Sequence, residues 1–193
     1  MTNSPLLPAL FLDRDGVIIE NRANYVRSWA DVEIYPQAVQ ALARIRHTPF
    51  KIILVTNQSA VGRGIITLEM AQAINKQLLA VMAKENCRID DVFLCPHAPQ
   101  DGCDCRKPQP GLLLQAAQKH GIDLSRSMMI GDALTDMQAG LAAGVQQTIL
   151  LRTGRGAAQL QKPEAAQFHS MIVHDSLETA VQALINTLLL PPT

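Results

Sequence analysis

Three short apolar runs in this chain each stop at a polar or acidic residue: ALFL runs into Asp13, IILV into Thr56 and Asn57, and MMIG into Asp132. Runs of this length, separated by longer stretches of helical character, are what strands buried on both faces of a parallel sheet require. Strands are expected at residues 9–13, 51–56, 91–94, 128–131 and 148–152, with a weaker one at 171–174. The helices between them carry their own signals. Pro36 suits a first turn and Thr67 an N-cap. A third helix runs from about Pro110 to His120 and is stopped by Gly121; a fourth follows Asp132 and a last one follows Ser176. This alternation points to an α/β fold built on a mainly parallel sheet. Such sheets bind ligands outside the carboxyl ends of their strands, so separate segments would deliver polar groups to one edge.

The length of 193 residues suits one domain, taken here as residues 1–193. Two irregular stretches, 14–35 and 95–110, exceed an ordinary loop, and long loops in a compact domain are usually functional. Lys plus Arg and Asp plus Glu number 17 each, so no global charge favours nucleic acid or an acidic membrane surface. No run approaches the roughly 18 apolar residues of a membrane span. The N-terminal MTNSPLLPALFLD has no basic leader and is interrupted by prolines, unlike a secretory signal. A cytoplasmic setting is expected, in which the four cysteines stay reduced.

Asp13 and Asp15 bracket Arg14 in the segment DRDGV. Residues two apart on extended backbone point the same way, so both carboxylates can face one site. Alone, so short a pattern more often marks a strand end with one aspartate capping a turn. Two anions that close call for a cation, and Mg²⁺ prefers oxygen ligands. Asp13 then suits a nucleophile and Asp15 a general acid/base. Thr56 and Asn57 offer a hydroxyl and an amide, Arg106 and Lys107 two cations, and Asp132 a carboxylate at a strand end, with Asp136 on the same face of the next helix. Each has an ordinary reading as cap, turn or surface residue. In combination they supply the positioning and charge neutralisation of phosphoryl transfer.

Cys95, His97, Cys103 and Cys105 form a C-x-H-x5-C-x-C cluster. Three thiolates and an imidazole suit tetrahedral Zn²⁺, and four protein ligands leave no open position, so the metal is expected to be structural. Its expected task is to fold the 95–110 loop and aim Arg106 and Lys107. Cys87 lies in a helical run and reads as core.

The segments FLDRDGV, VTNQS, CRKPQPG and IGDALTD resemble the four motifs of the haloacid dehalogenase-like phosphatases. The resemblance implies a three-layer Rossmann-like fold with a short flap and the zinc loop, but no large cap domain. It implies hydrolysis of a phosphomonoester through an aspartyl-phosphate, with Asp13 as nucleophile, Asp15 as acid/base, and Thr56 and Lys107 on the phosphoryl group. Mg²⁺ would be held by Asp13, the Asp15 carbonyl and Asp132. Within that superfamily the chain is similar to the histidinol-phosphatase-type group, whose familiar substrates are histidinol phosphate and D-glycero-D-manno-heptose 1,7-bisphosphate. TNQSAVGRG and LLRTGRG favour removal of the heptose 7-phosphate; the alternatives are histidinol phosphate or another small sugar phosphate, and, in another class, a non-catalytic zinc-stabilised binding module. The implied substrate contacts are Asn24, Tyr25, Thr56, Asn57, Gln58, Ser59, Arg63, Arg106 and Lys107. Position 133, commonly basic in the heptose enzymes, is Ala133 here, and Ala60 and Gly62 stand where glycine and alanine are familiar. A monomer acting on a small phosphorylated sugar is expected.

Overall fold

The six expected strands all form, with ends displaced by at most one residue: β1 (Ala9–Leu12), β2 (Lys51–Asn57), β3 (Asp91–Cys95), β4 (Met128–Gly131), β5 (Gln147–Leu151) and β6 (Ile172–His174). The computed structural model describes residues 5–189. All strand pairs are parallel, and the order is β3-β2-β1-β4-β5-β6. The helices are α1 (Pro36–Ile45), α2 (Ser59–Gly62), α3 (Leu68–Lys84), α4 (Gly111–His120), α5 (Leu134–Ala143), α6 (Gly156–Gln159) and α7 (Leu177–Leu189). Two signals act as expected: the Thr67 hydroxyl accepts from the Met70 N–H, and Gly121, with φ 61°, ends α4 in the left-handed conformation.

The period-2 alternation of the strands separates two cores. Leu10, Leu12, Ile52, Leu54 and Ile130 face α1, α3 and α7, whereas Ala9, Phe11, Ile53, Val55 and Met129 face α4 and α5. Sheet and helices therefore make three layers. Truncating a fully buried member such as Phe11 or Leu54 to alanine costs about 2–5 kcal/mol.

The order fixes where ligands gather. β1 lies between β2 and β4, and the chain reverses its winding there, which opens a crevice at the carboxyl ends. Residues 14–35, read from sequence as a flap, are half core. Val17, Ile18, Ile19 and Val26 are buried in the α1 side of the sheet, and bridges join Ile19 to Asp15 and to Ile34. Of this stretch, Asp15 and the segment from Asn21 to Val26, Asn24 excepted, border the crevice. Among the described residues, no helix is long and apolar enough to cross a membrane.

Candidate active site

Asp13 follows β1 and Asp132 follows β4, the neighbouring strand, while Asp136 sits in the first turn of α5. Carboxylate oxygens of the three lie within 4.8 Å of one another. All are nearly inaccessible, at 5%, 0% and 1% exposure respectively. Lys107, 2% exposed, is their central cation. Its Nζ lies 3.0 Å from Asp13 Oδ1 and 2.7 Å from Asp136 Oδ1, and donates to the Val55 carbonyl at 2.7 Å. Burial works against the lysine's charge, but Asp13 and Asp136 outweigh it and raise its pKa. The other Asp136 oxygen accepts from the Ala133 N–H at 3.0 Å and starts α5.

Burial pushes the Asp13 carboxyl up to about 7; Lys107 opposes the rise, and Asp136, Asp132 and Asp15 add to it. Asp132 is likewise raised by burial, against the pull of Arg155. Carboxyls whose proton affinity is raised by burial mark a site short of positive charge. A hard dication with oxygen ligands relieves that shortage, so Asp13 and Asp132 fit Mg²⁺. The backbone is shaped to match. Gly16 has φ +83°, and a Cβ there would collide with the Asp132 carboxylate, so only glycine permits this approach.

Asp15 stands beside this cluster with its side chain 21% exposed. Gln58 Nε2 donates to Asp15 Oδ2 at 3.1 Å and to Thr56 Oγ1 at 2.8 Å, which ties three expected site residues together. Asn57 clamps the Lys107 peptide, donating to its carbonyl at 3.0 Å and accepting its N–H at 3.1 Å. Arg106 donates through Nη1 to Ser59 Oγ at 2.7 Å and to the His97 carbonyl at 3.2 Å.

A cavity of about 380 Å³ opens over these groups, lined among others by Asp13, Asp15, Tyr25, Asn57, Gln58, Ser59, Arg106 and Lys107. Tyr25 holds φ 62°, an uncommon backbone state for a non-glycine residue. Thr56 is fully buried beneath the floor and is not part of the lining. Asn24 and Arg63, both expected at substrate, do not line the cavity either. The reason at Arg63 is the one-turn helix α2, which ends at Gly62 and leaves Arg63 exposed. Other residues appear in their place: Asn21, Arg22, Thr135, Asp136 and Arg155.

Arg155 is the cation that sequence reasoning missed. Its backbone N–H and Nε reach Asp132 Oδ2 at 2.8 and 3.3 Å, and Nη2 reaches Oδ1 at 3.1 Å. Asn21 Nδ2 is the fourth donor to this carboxylate, reaching Oδ2 at 3.3 Å. Ala133 departs from the basic residue common at that position, and the neighbouring Asp132 takes its arginine from the segment after β5. The LLRTGRG segment carried the only hint. Asp136 was visible as the carboxylate four residues after Asp132.

The four expected zinc ligands come together. Cys95 Sγ is 3.6 Å from His97 Nδ1, 3.6 Å from Cys103 Sγ and 3.1 Å from Cys105 Sγ. His97 Nδ1 and Cys103 Sγ lie 3.3 and 3.5 Å from Cys105 Sγ. Zn–S bonds of about 2.3 Å give tetrahedron edges of roughly 3.8 Å, close to these separations. Burial resists ionisation of Cys103, yet hydrogen bonds from Cys105, the Arg106 N–H and Cys95 bring its thiol down to about 7. Burial and the neighbouring sulfurs raise Cys105. Three thiolates this close need a cation between them, so the donor set fits Zn²⁺. The cluster packs on the α4 side of the core through Cys95, Cys103 and Cys105.

Comparison with known proteins gives consistent results. Residues 104–180 match a family model described as HAD-hydrolase-like. The chain is 34% identical over 176 residues to the D-glycero-β-D-manno-heptose-1,7-bisphosphate 7-phosphatase of Pseudomonas aeruginosa, covering 91% of this chain and 97% of that one. It is 43% identical over 144 residues to the Helicobacter pylori protein of the same name, covering 74% and 82%. The crystal structure of D,D-heptose 1,7-bisphosphate phosphatase from Bordetella bronchiseptica, complexed with magnesium and phosphate, superposes with a TM-score of 0.86 at 32% identity, covering 94% of this chain and 99% of that one.

Proposed function

The chain belongs to the haloacid dehalogenase-like hydrolases, in the family of D-glycero-β-D-manno-heptose-1,7-bisphosphate 7-phosphatases, and from that premise we propose that it removes the 7-phosphate of heptose 1,7-bisphosphate through an aspartyl-phosphate on Asp13. The observation that carries this reading is the buried Asp13–Asp132–Asp136 cluster around Lys107 at the mouth of the β1/β4 crevice.

Asp13 Oδ attacks phosphorus, and the bond between phosphorus and the sugar oxygen breaks. The departing oxygen keeps the electron pair and takes a proton from Asp15. Asp15, now ionised, removes a proton from water as that water attacks the aspartyl-phosphate; the Asp13 oxygen–phosphorus bond breaks, and inorganic phosphate leaves. Lys107 stabilises the charge on the transferring group from a geometry already fixed by Asp136 and the Val55 carbonyl, and Thr56, buried below the cavity, acts through Gln58, whose side-chain amide donates to its hydroxyl. Asp13, the Asp15 carbonyl and Asp132 would hold Mg²⁺, which would supply charge neutralisation at the transferring group. The second phosphate of the substrate meets Arg106 and the cations of the opposite wall, with Tyr25, Gln58 and Ser59 against the sugar.

Zn²⁺ on Cys95, His97, Cys103 and Cys105 has a structural task, which is supported by Arg106 bonding directly to the His97 carbonyl. Residues 1–193 act as one phosphatase domain and as a monomer. Among the described residues, the exposed large apolar side chains, Leu6, Leu7, Tyr25, Ile65, Met70, Leu114, Leu141 and Ile172, are scattered along the chain, with only Leu6 and Leu7 adjacent in sequence. A reducing cytoplasm suits the thiolate cluster.

The test is phosphate release from heptose 1,7-bisphosphate and histidinol phosphate at matched concentrations, with and without Mg²⁺. A Mg²⁺-dependent preference for the bisphosphate is expected. A preference for histidinol phosphate would transfer the enzyme to that substrate, and no release from any ester would favour a binding module.

A further inference from the structure

Two polar side chains are buried more deeply than the reaction above requires. Arg14 is 1% exposed, and Asn75 is 6% exposed within the inward stripe of α3 that otherwise comprises Ala71, Ile74, Leu78 and Met82. They meet: Arg14 Nη1 donates to Asn75 Oδ1 at 2.7 Å. The remainder of the guanidinium faces Asp15, with Nε 3.1 Å from Oδ2 and Nη2 3.2 Å from Oδ1. One fork therefore holds both oxygens, which fixes the plane of the carboxylate as well as its position. A lysine could supply the charge but not the two directions. Burying an arginine–carboxylate pair rarely stabilises a fold beyond what apolar packing achieves, so stability alone does not account for the arrangement.

We infer that Arg14, braced by Asn75, is a positioning residue that sets the direction of the Asp15 carboxylate for proton transfer. This rests on the reading that Asp15 gives a proton to the leaving oxygen and later takes one from water. Asp15 lies on a loop, and its side chain would otherwise turn freely about two torsions. The fork from Arg14 and the Gln58 amide together leave its exposed part toward the cavity. Arg14 does not line the cavity, so its influence falls on rate constants rather than on substrate affinity.

Leaving-group chemistry separates this role from a merely structural one. When the ester is 4-nitrophenyl phosphate, the bond electrons pass to a phenolate that is stable without a proton, so forming the aspartyl-phosphate needs little from Asp15. A sugar oxygen needs the proton as its bond to phosphorus breaks. Hydrolysis of the aspartyl-phosphate needs Asp15 whichever ester began the cycle.

The experiment measures single-turnover and steady-state rates of Arg14→Met, Arg14→Lys and Asn75→Ala on 4-nitrophenyl phosphate and heptose 1,7-bisphosphate, with acid quenching to count the phosphoenzyme. General acid–base catalysis contributes about 10²–10⁴-fold. In Arg14→Met, kcat on the sugar ester is therefore expected to fall roughly 10- to 100-fold further than phosphoenzyme formation from the nitrophenyl ester. KM changes little, and phosphoenzyme accumulates on the nitrophenyl ester. Arg14→Lys recovers only part, and Asn75→Ala shifts the same ratio less. If formation from both esters slows in equal proportion and no phosphoenzyme accumulates, the inference is overturned; should Arg14→Met not fold, the other two variants decide. A wild type that hydrolyses the nitrophenyl ester but not the heptose would refute the substrate alone, leaving the accumulation readout in force. A wild type inactive on both would overturn the catalytic reading and this inference with it.

Discussion

Replacing Lys107 with methionine keeps most of its volume but deletes the charge that touches Asp13 at 3.0 Å and Asp136 at 2.7 Å. All of these side chains are at least 93% inaccessible, so water cannot take the place of the ammonium. Removing one partner from a buried pair costs about 3–5 kcal/mol, because the other charge is left uncompensated. For a chain of this size that corresponds to a melting-point drop of roughly 6–20 °C. The cost depends on pH. Asp13 titrates at about 7 in the fold against an ordinary 3.8, and it rises further without Lys107. An acid whose folded pKa is raised binds an extra proton in the fold, so stability falls as pH climbs from the unfolded value toward the folded one. Lys107→Met should therefore lose more at pH 8 than at pH 6, and adding Asp136→Asn should restore part of the loss. The assay is urea unfolding in magnesium-free buffer without a chelator, which would disturb the cysteine loop as well. An unchanged midpoint at pH 8, or a larger deficit at pH 6, would refute the reasoning. Activity should also drop by about 10²–10³ in kcat, the scale of a lost charge-stabilising donor.

Three further outcomes are expected. Cys103→Ser should lower bound zinc below one ion per chain by atomic absorption and speed amide exchange across residues 95–110; full zinc content with unchanged melting would remove the structural-zinc reading. Gly16→Ala, which drives a Cβ into the Asp132 carboxylate at a positive φ, should raise the Mg²⁺ concentration needed for half-maximal activity about tenfold or more, since misplacing what orients a metal ligand costs about 10–100-fold in affinity; an unaltered Mg²⁺ titration would contradict that placement. Mg²⁺ binding at pH 6 should release protons that calorimetry in buffers of different ionisation enthalpy detects, and fewer at pH 8, because the Asp13 carboxyl titrates near 7 and must ionise to ligate; equal release at both values would place the proton elsewhere.

The sequence by itself determined whatever was local. Apolar runs long enough for a buried strand and too short for a helix located all six strands, and Thr67 and Gly121 marked helix ends through their own side-chain and backbone chemistry. Cys95, His97, Cys103 and Cys105 lie within eleven positions of one another, close enough for loop spacing alone to suggest a metal cage. Asp13, Thr56 and Asp132 were legible because a polar residue ending a buried strand stands at the one edge of a parallel sheet where ligands bind. Only the tertiary structure decided which cations line the cavity. Arg63 sits near the expected motif, yet the single turn of α2 turns it out of the cavity. Arg155 lies 23 residues from Asp132 and reaches it because β5 pairs with β4 and the chain after β5 doubles back over the carboxylate. Arg14 was likewise in view between two aspartates, but its partner Asn75 is 61 residues away on α3. Contacts of that range depend on sheet order and on how helices pack across it, and these are properties of the whole chain that no local pattern carries.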